Sequence, residues 1–295
     1  MKIYYGITNN VIDVTDICFE RLINNNIITI PFGDINRAYY FTDPIVGVHK
    51  SIFIENFGIT TEYNEYIKIK INTLNNTIET INKLETDTNL QTLQLKLKLN
   101  YGSFRDEYPE QRMSFNFLNG NEKVLEIGGN IGRNSLIIAS LLNDSSNLVS
   151  LESDNNIAKQ LTENRDLNNL NFNIEPSALS KRKLIQKDWD TIPSDVLLDG
   201  YSWINTITLE QLKKKYNINF DTLILDCEGA FYYILMDMPE ILNNINLIIM
   251  ENDYHDINHK NYIDEILKSN NFYTVYQEAG GWGPCFDKFF EVWKR

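Results

Sequence analysis

The stretch that decides the fold of this chain is Val124-Leu125-Glu126-Ile127-Gly128-Gly129-Asn130-Ile131-Gly132-Arg133-Asn134. A short apolar run carries an acid near its end, a glycine-rich turn follows, and a segment with helical periodicity begins. Glycine lets the backbone turn tightly and approach a ligand, and the start of the next helix offers unpaired N–H groups to a carboxylate. The pattern therefore predicts a ligand-binding loop, although a plain strand-to-helix turn has the same signature.

The rest of the chain from Tyr101 onward continues this alternation of strand-length and helix-length segments. Such alternation is typical of βαβ units and of a mostly parallel sheet, which binds ligands at the carboxyl ends of its strands. The predicted strands are 124–127, 148–151, 172–174, 222–225, 247–250, 272–277 and 289–293, the last two as a hairpin pair. We therefore expect a Rossmann-like α/β domain within 101–295.

Residues 1–100 have a different sequence pattern, which predicts a smaller α+β domain for substrate recognition or oligomerisation. If the domain serves oligomerisation, a homodimer is one possibility. Short β-branched and aromatic runs separated by polar turns predict strands at 2–5, 27–30, 51–54 and 66–71, and Thr15–Leu22 has the pattern of a helix. Residues 93–99 alternate Leu with Gln or Lys, which predicts a half-buried strand.

The overall composition excludes some functions. The net charge of −13 and the sequence pI near 4.7 disfavour a nucleic acid partner, because such a surface repels phosphate backbones. Cys18, Cys227 and Cys285 are widely spaced, which gives no disulfide framework and is typical of a reducing compartment. No apolar run of about 18 residues occurs, so we expect no membrane partner and a cytoplasmic location.

A second acid lies at the end of the next predicted strand. Glu152 follows Leu148–Leu151, and an acid at this distance from the glycine turn can accept both hydroxyls of a ribose. Ser177 and Ala178 follow the third predicted strand, where they could flank an adenine ring. The Glu-x-Gly-x-x-x-Gly spacing differs from the Gly-x-Gly-x-x-Gly of pyrophosphate-binding enzymes, which disfavours hydride transfer with a nicotinamide cofactor.

The candidate catalytic residues follow the fourth and fifth predicted strands. Asp226 and Glu228 come just after the fourth strand, and Glu251 and His255 come at and after the end of the fifth. A carboxylate at this edge could take a proton from an attacking hydroxyl, with Asp226 the first candidate. Glu228 could instead cap the next helix, and His255 could be a solvated loop residue. Together with Asp253 the three acids could hold a cation such as Mg²⁺, but acid clusters arise easily on so acidic a chain, so no metal is predicted.

At these positions the chain resembles the FkbM-type class I methyltransferases. The family combines a glycine-rich motif, an acid after the second strand, an Ala-Leu-Ser step, a Thr-Leu-Asp-x-Leu segment and Lys-Ile-Asp-Val-Glu-Gly-Ala-Glu. The matching segments, all within Asn121–Tyr254, are Glu126–Gly132, Glu152, Ala178–Ser180, Thr208–Leu212 and Ile224–Phe231. Ile224 stands where the family has Lys and Phe231 where it has its last Glu, so no role of those two side chains transfers.

The resemblance implies a class I, Rossmann-like, seven-stranded methyltransferase sheet, with S-adenosyl-L-methionine as the cofactor and a hydroxyl as the acceptor. The whole chain is also similar to family members from large DNA viruses, whose N-terminal region carries Tyr4-Tyr5-Gly6, Asp43-Pro44 and Lys50–Phe53. That similarity implies a sugar acceptor, either a nucleotide sugar or a glycan, and the host cytoplasm as location. An RNA cap or a protein side chain as acceptor, or a catalytically inactive binding module, remain as alternatives.

The resemblance and the residues together give a set of cofactor contacts. Glu126 could hold the ammonium of the methionine part, and the helix start at Asn134 could face its carboxylate. The segment Tyr101–Arg112 could fold over the cofactor, with Glu110 or Gln111 contacting it, or could be a connecting helix. The residues predicted to contact the cofactor are Glu126, Gly128, Gly129, Asn130, Gly132, Asn134, Glu152, Ser177, Ala178 and Gln111.

Overall fold

The computed structural model describes residues 1–188 and 190–295, except for the side chains of Ile35 and Thr86. The chain divides into two compact units, Met1–Asn89 and Leu90–Arg295. This geometric division falls before residue 100, and the assignment of 1–100 and 101–295 as functional domains stays a prediction. Within the described residues, no helix is both long enough and apolar enough to cross a membrane.

The first unit contains two four-stranded antiparallel sheets, with strand orders β2-β1-β5-β6 and β3-β4-β7-β8. Several of its strands turn every second residue into the core, as in β1, where Ile3 and Tyr5 are fully buried. The elements are β1 (Lys2–Ile7), β2 (Asn10–Asp13), α1 (Thr15–Arg21), β3 (Ile23–Asn24), β4 (Ile27–Ile30), α2 (Asp34–Phe41), β5 (Ser51–Asn56), β6 (Ile59–Tyr63), β7 (Ile67–Asn72) and β8 (Thr77–Asn82).

Two of the buried cations of the first unit, Lys50 and Arg37, link several of these elements. Lys50, from the Lys50–Phe53 segment, is 1% exposed and forms ion pairs with Asp34 at 2.9 Å and with Asp43 at 2.8 Å. Arg37 on α2 is fully buried and donates to the carbonyls of Pro31 (3.0 Å), Tyr63 (3.3 Å) and Ile67 (2.6 Å). The three carbonyls belong to separate segments of the unit, so the buried guanidinium is a structural cross-link between them.

Arg37→Met should therefore destabilise the first unit by about 3 kcal/mol, because three hydrogen bonds to backbone carbonyls are lost at roughly 1 kcal/mol each. Hydrogen exchange of residues 1–89 in the full chain, followed by mass spectrometry, measures this change. Arg21→Met is the matched control, since exposed Arg21 donates to the Tyr40 carbonyl at the surface. Equal protection in the Arg37 variant and the wild type would contradict this role.

The second unit holds the larger sheet, and α3 (Lys83–Gln94) leads into it. Its helices are α4 (Tyr108–Phe117), α5 (Arg133–Leu141), α6 (Asn155–Leu167), α7 (Leu209–Tyr216), α8 (Ala230–Asp237) and α9 (Ile257–Ser269), with short 3₁₀ helices at Ser145–Asn147, Pro239–Leu242 and Gly283–Lys288. Its strands are β9 (Val124–Ile127), β10 (Leu148–Leu151), β11 (Asn173–Glu175), β12 (Ala178–Leu179), β13 (Leu184–Lys187), β14 (Asp190–Pro193), β15 (Ser202–Trp203), β16 (Thr206–Ile207), β17 (Thr222–Leu225), β18 (Leu247–Glu251), β19 (Tyr273–Glu278) and β20 (Phe290–Lys294).

Seven of these strands form one sheet in the order β11-β10-β9-β17-β18-β20-β19. The first five are parallel, and β20 runs antiparallel to both β18 and β19. The parallel strands β9, β10 and β17 are buried at every position, which explains their continuous apolar runs. This is the predicted α/β arrangement, with a seven-stranded, mostly parallel Rossmann-like sheet in this unit, and the smaller antiparallel sheets of residues 1–89 form the other unit.

The register of the sheet brings four candidate residues to one edge. Ile127 is paired with both Leu151 and Leu225, and Leu225 is paired with Met250. The residues that follow these positions therefore leave the sheet side by side: Gly128, Glu152, Asp226 and Glu251. Parallel sheets bind their ligands at this edge.

Local sequence signals explain several helix starts. Asp154 caps α6 by accepting from the amides of Asn156 and Ile157. Thr208 and Gln211 form a capping box at the start of α7, so this part of the Thr208–Leu212 motif has a structural role.

One predicted element is wrong, and several observed elements were not predicted. Residues 93–99 are not a strand, since α3 continues to Gln94 and no regular element follows before residue 99. Over so short a stretch, the alternation of Leu with polar residues fits the period of a helix as well as that of a strand. The antiparallel sheet β14-β13-β15 and the helix α2 had no counterpart among the predicted elements.

Candidate functional site

A cavity of about 580 Å³ opens at the carboxyl edge of the large sheet. Residues that follow β9, β10 and β17 line it, together with Glu251 at the end of β18 and with parts of α8 and of the β13–β14 hairpin. The volume lies within the usual range for small-molecule and cofactor sites.

The glycine turn after β9 packs tightly against the loop after β17. Gly128 has φ +93°, and a Cβ atom there would lie 1.5 Å from the Asp226 carbonyl oxygen. The amides of Gly128 and Gly129 donate to the Leu151 carbonyl at 3.0 and 2.8 Å. Gly132 has φ +96° and is the residue before α5. Glycine is needed because both the left-handed backbone and the close approach exclude a side chain.

Glu152 is held in the cavity wall by backbone hydrogen bonds. Its Oε2 accepts from the Asn130 amide at 2.9 Å, and its Oε1 accepts from the Asp154 amide at 2.8 Å. Burial raises the pKa of this carboxyl, whereas the two amides lower it. An ionised carboxylate has about four lone-pair positions, so each oxygen keeps one for a ligand hydroxyl. Glu152 is therefore held in one orientation with acceptor capacity left on both of its oxygens.

Glu126 faces away from the cavity and is not among its lining residues. Its carboxyl accepts from the Ser135 hydroxyl on α5, and it is 2% exposed. Burial raises the pKa of Glu126 to about 7, although the Ser135 and Ser150 hydrogen bonds lower it. The structure therefore places Glu126 under the glycine turn, where it joins β9 to α5.

The Glu126 carboxyl should make stability depend on pH. The folded chain binds its proton up to about pH 7, whereas an unfolded glutamate releases it near its ordinary value of 4.5, so folding takes up a proton between these values. Stability therefore falls as the pH rises through this window, by up to about 3 kcal/mol for this one group. Glu126→Gln should remove this contribution.

Urea unfolding at several pH values, compared between wild type and Glu126→Gln, measures the effect. The exposed Glu240→Gln is the control, and its pH curve should run parallel to that of the wild type. Parallel curves for Glu126→Gln as well would show that Glu126 does not titrate in this window.

The other predicted cofactor contacts divide into two groups. Gly128, Asn130, Ser177 and Ala178 line the cavity, and the Ser177 hydroxyl donates to Glu175 at 2.9 Å. Those that the structure does not bring to the cavity wall are Gly129, Gly132, Asn134 and Gln111.

Gln111 and Asn134 differ in how their side chains are occupied. The Gln111 amide donates to the carbonyls of Phe104 and Asp106 and accepts from Gln94, so it has little capacity left for a cofactor. Asn134 is 7% exposed in the first turn of α5, and its Oδ1 has no hydrogen-bond partner among the described residues. Gln111 therefore holds α4 to the preceding loop, whereas Asn134 keeps an open acceptor beneath the turn.

Asp226 and Glu251 lie together in the cavity wall, and α4 adds Glu110 to them. One carboxylate oxygen from each of the three lies within 4.8 Å of the others. Burial raises the pKa of Asp226 well above its ordinary value, and the charges of Glu107 and Glu110 raise it further. Burial also raises the pKa of Glu251, with the Asp226 charge and the Glu110 carboxyl as further causes. This group is called the acid triad below.

Glu228 lies beside the triad on a strained turn. Its φ is +49°, which is uncommon for a residue with a side chain and often marks a functional site. Gly229, not Glu228, is the cap residue of α8, and its amide donates to Asp253 at 2.8 Å. The exposed Glu228 carboxyl therefore lines the cavity without a capping role.

His255 lies outside the cavity. It is exposed, and its ring centroid lies 4.5 Å from that of Trp282. This is the solvated loop position that the sequence left open as an alternative.

Two parts of the site carried no sequence signal. Glu107, at φ +55°, lines the cavity and accepts from Asn130 at 3.0 Å and from Arg133 at 2.5 Å. Arg182 also lines the cavity, where it forms a two-hydrogen-bond pair with Asp237, and its guanidinium lies 5.2 Å from the Tyr233 ring centroid. Neither set could be found locally, because its members come from distant parts of the chain.

Comparison with known proteins gave no match to any family model and none to any curated protein. Among solved structures, the chain is similar to an O-methyltransferase from Bacillus cereus in complex with SAH, at 16% identity and TM-score 0.41, covering 72% of this chain and 91% of that one. It is also similar to the ribosomal protein L11 methylase from Lactobacillus delbrueckii subsp. bulgaricus, at 13% identity and TM-score 0.42, covering 67% and 81%. A third similarity is to a putative tRNA (m1A22) methyltransferase from Streptococcus pneumoniae in complex with S-adenosyl-L-methionine, at 11% identity and TM-score 0.39, covering 62% and 71%. The fold assignment rests on strand order and register.

Proposed function

We propose that this chain is an S-adenosyl-L-methionine-dependent O-methyltransferase of the FkbM type, acting on a sugar hydroxyl. The observation that carries the proposal is the juxtaposition of Glu152, the turn at Gly128 and the carboxylate of Asp226 around one cavity. Such a transfer needs residues that bind the nucleoside part of the cofactor and a residue that accepts the proton of the attacking hydroxyl.

The residues of the cavity fit the proposed cofactor. Glu152 keeps one acceptor position on each oxygen for the ribose hydroxyls, and its backbone donors fix its orientation. Ile157, Ser177 and Ala178 line the adjacent wall and offer apolar surface and small side chains to a flat base. Gly128 leaves room for the backbone to approach the ligand. S-adenosyl-L-methionine supplies a methyl group on a sulfonium, which is already a good leaving group.

Asp226 acts on the acceptor. The acceptor oxygen forms the new bond to the methyl carbon, the sulfur–carbon bond breaks with its electron pair going to sulfur, and the hydroxyl proton must leave. Asp226 takes that proton or holds the acceptor oxygen in line, and Glu228 is an exposed carboxylate on the same loop that also lines the cavity. Because the leaving group is good, alignment and proton removal account for most of the catalysis.

A sugar suits the remaining walls of the cavity. Hydroxyl groups are hydrogen-bond donors, and the exposed carboxylate of Glu228, on the loop that carries Asp226, provides an acceptor in the cavity wall. The Tyr233 ring offers a face for the apolar side of a pyranose. The net charge of −13 disfavours an RNA cap as acceptor, whereas a neutral sugar needs no basic surface.

The proposal is tested by incubating the full chain with isotope-labelled methyl donor and separate pools of nucleotide sugars, glycans, capped RNA and proteins. Mass spectrometry should find the labelled methyl group on a sugar hydroxyl, and Asp226→Asn should abolish most of it. Label on RNA or protein alone would overturn the sugar assignment. No transfer to any pool, together with no binding of S-adenosylhomocysteine, would overturn the enzyme assignment.

A further inference from the structure

We propose that Glu107 binds the ammonium group of the methyl donor and so makes the cavity selective for a nucleoside that carries an amino acid. This inference rests on the proposed function, because it assigns a further group of the same cofactor to a residue of this chain. Glu107 lies immediately before α4 and lines the cavity. Glu126, to which the sequence assigned this contact, lies under the glycine turn and is not among the lining residues.

The segment that carries Glu107 is fixed on the glycine turn. The Asn100 amide donates to Oδ1 of Asn164 on α6 at 2.7 Å. At Gly102, which has φ +78°, a Cβ atom would lie 2.2 Å from the Ile131 side chain, so the backbone approaches the turn closely. These contacts hold the segment, and Glu107 with it, against the turn.

One oxygen of the Glu107 carboxyl is occupied and the other is open. Oε1 accepts from Arg133 at 2.5 Å and from the Asn130 side chain at 3.0 Å. Within residues 1–188 and 190–295, Oε2 has no hydrogen-bond partner, and it is not one of the unpaired oxygens that are fully buried. A carboxylate oxygen can accept further hydrogen bonds, so Oε2 is available to a donor in the cavity that Glu107 lines.

Backbone strain at the same point supports a functional role. Glu107 has φ +55° and its hydrogen-bond partner Asn130 has φ +46°, which is uncommon for residues with a side chain. Strain of this kind clusters where side chains are held in place for a ligand. The two strained residues are joined by their side chains, so the strain fixes the position of the Glu107 carboxyl.

The position of Glu107 suits the amino acid part of the donor. The carboxyl is tied to Asn130, whose amide donates to Glu152, the proposed ribose acceptor. The Glu107 charge also raises the pKa of Asp226, the carboxylate proposed to act on the acceptor, so the two carboxyls lie near each other. In the cofactor, the sulfur carries the ribose, the methyl group and the amino acid part. The ammonium is therefore expected between these residues, on the side of Glu107.

Several other acids of the cavity wall are committed to protein groups. Asp154 caps α6, and Asp237 forms a two-hydrogen-bond pair with Arg182. Asp226 and Glu251 face other carboxyls within the acid triad. Glu107 differs from them because it combines a fixed carboxyl at the glycine turn with an open oxygen. A hydrogen bond between an ammonium and such a carboxylate is charge-assisted and therefore strong.

Binding of two probes to the full chain tests this role without any activity measurement. S-adenosylhomocysteine carries the ammonium, whereas methylthioadenosine has the same nucleoside and a thioether but no amino acid part. By calorimetric titration, the wild type should bind S-adenosylhomocysteine at least about tenfold more tightly than methylthioadenosine. Glu107→Gln should weaken S-adenosylhomocysteine binding by about tenfold or more and leave methylthioadenosine binding within about twofold. Glutamine keeps an oxygen for Arg133 and Asn130 but has lost the charge.

Asp106→Asn is the matched control. It removes the same charge from the neighbouring residue, whose exposed carboxylate Oδ2 lies 3.7 Å from Arg133 Nη2, and it should leave both affinities unchanged. An equal loss for both probes in Glu107→Gln would show that Glu107 only supports the turn, and this result or unchanged binding of S-adenosylhomocysteine would overturn the role. In both cases the wild type still binds the cofactor product, so the proposed function stands. The absence of any binding by the wild type would overturn the proposed function together with this role.

Discussion

Replacing Asp226 with asparagine should lower turnover by about 10²–10⁴-fold, the usual contribution of a positioned carboxylate that removes a proton or orients an acceptor. Asparagine has nearly the same size, so packing against the turn at Gly128 is preserved, since that contact uses the backbone carbonyl of residue 226. Burial disfavours the charged form of Asp226, and asparagine carries no charge, so the variant should fold at least as well as the wild type.

Two measurements separate a role in the reaction from a structural one. The affinity for S-adenosylhomocysteine should stay within about twofold of the wild type, because β9 separates the strand that Asp226 follows from the strand that Glu152 follows. Asp287→Asn, at an exposed position, is the control and should keep full turnover. Wild-type turnover in Asp226→Asn would remove Asp226 from the mechanism.

The second large effect is expected at Glu152. Glu152→Gln removes the charge and turns one acceptor oxygen into a donor, which then faces the Asn130 or the Asp154 amide. Two charge-assisted hydrogen bonds to ligand hydroxyls are each worth about 1.5 kcal/mol or more, so the affinity for S-adenosylhomocysteine should fall by about 10²-fold. Turnover at saturating methyl donor should fall much less.

Calorimetric titration of both proteins with S-adenosylhomocysteine measures this difference. Glu163→Gln on α6 is a useful control, because that acid accepts from the exposed Tyr101 hydroxyl and does not line the cavity. If Glu152→Gln bound the ligand as tightly as the wild type, the hydroxyl-binding role of Glu152 would be wrong.

The central sheet was predictable because local and global signals agree there. The predicted strands 124–127, 148–151 and 222–225 have the observed bounds. Each is buried on both faces, so its apolar run is continuous and is bounded by polar or glycine residues. Parallel register then places the residues after these strands at one edge, so the sequence alone assigns Glu152 and Asp226 to one site.

The direction of a side chain was less predictable. Glu126 stands one position before the end of β9, and its carboxyl turns towards Ser135 under α5, whereas Ile127 faces the cavity. Neighbouring residues of a strand point to opposite faces, so a motif that ends in an acid does not by itself give the face. The expected contact of Glu126 with a cofactor ammonium stays a prediction, and Glu126 is not among the residues that line the cavity.

Contacts between distant segments could not be predicted at all. Glu110 reaches Asp226 and Glu251 only because α4 packs beside the end of β18, and nothing near Glu110 in the chain indicates that neighbour. Similarly, the Arg182–Asp237 pair joins the loop after β12 to the end of α8. Hydrophobic periodicity predicts which face of a helix is buried, but not which other elements that face will meet.

Titration of the full chain with S-adenosylhomocysteine by isothermal calorimetry tests the central claim most directly. We expect one saturable site per chain with a dissociation constant of about 1–100 μM, and no comparable heat with NAD, because the glycine spacing and Glu152 suit a nucleoside without a pyrophosphate. Saturable binding of NAD in place of S-adenosylhomocysteine, or the absence of any saturable heat with S-adenosylhomocysteine at millimolar concentration, would contradict the proposed cavity and the function drawn from it.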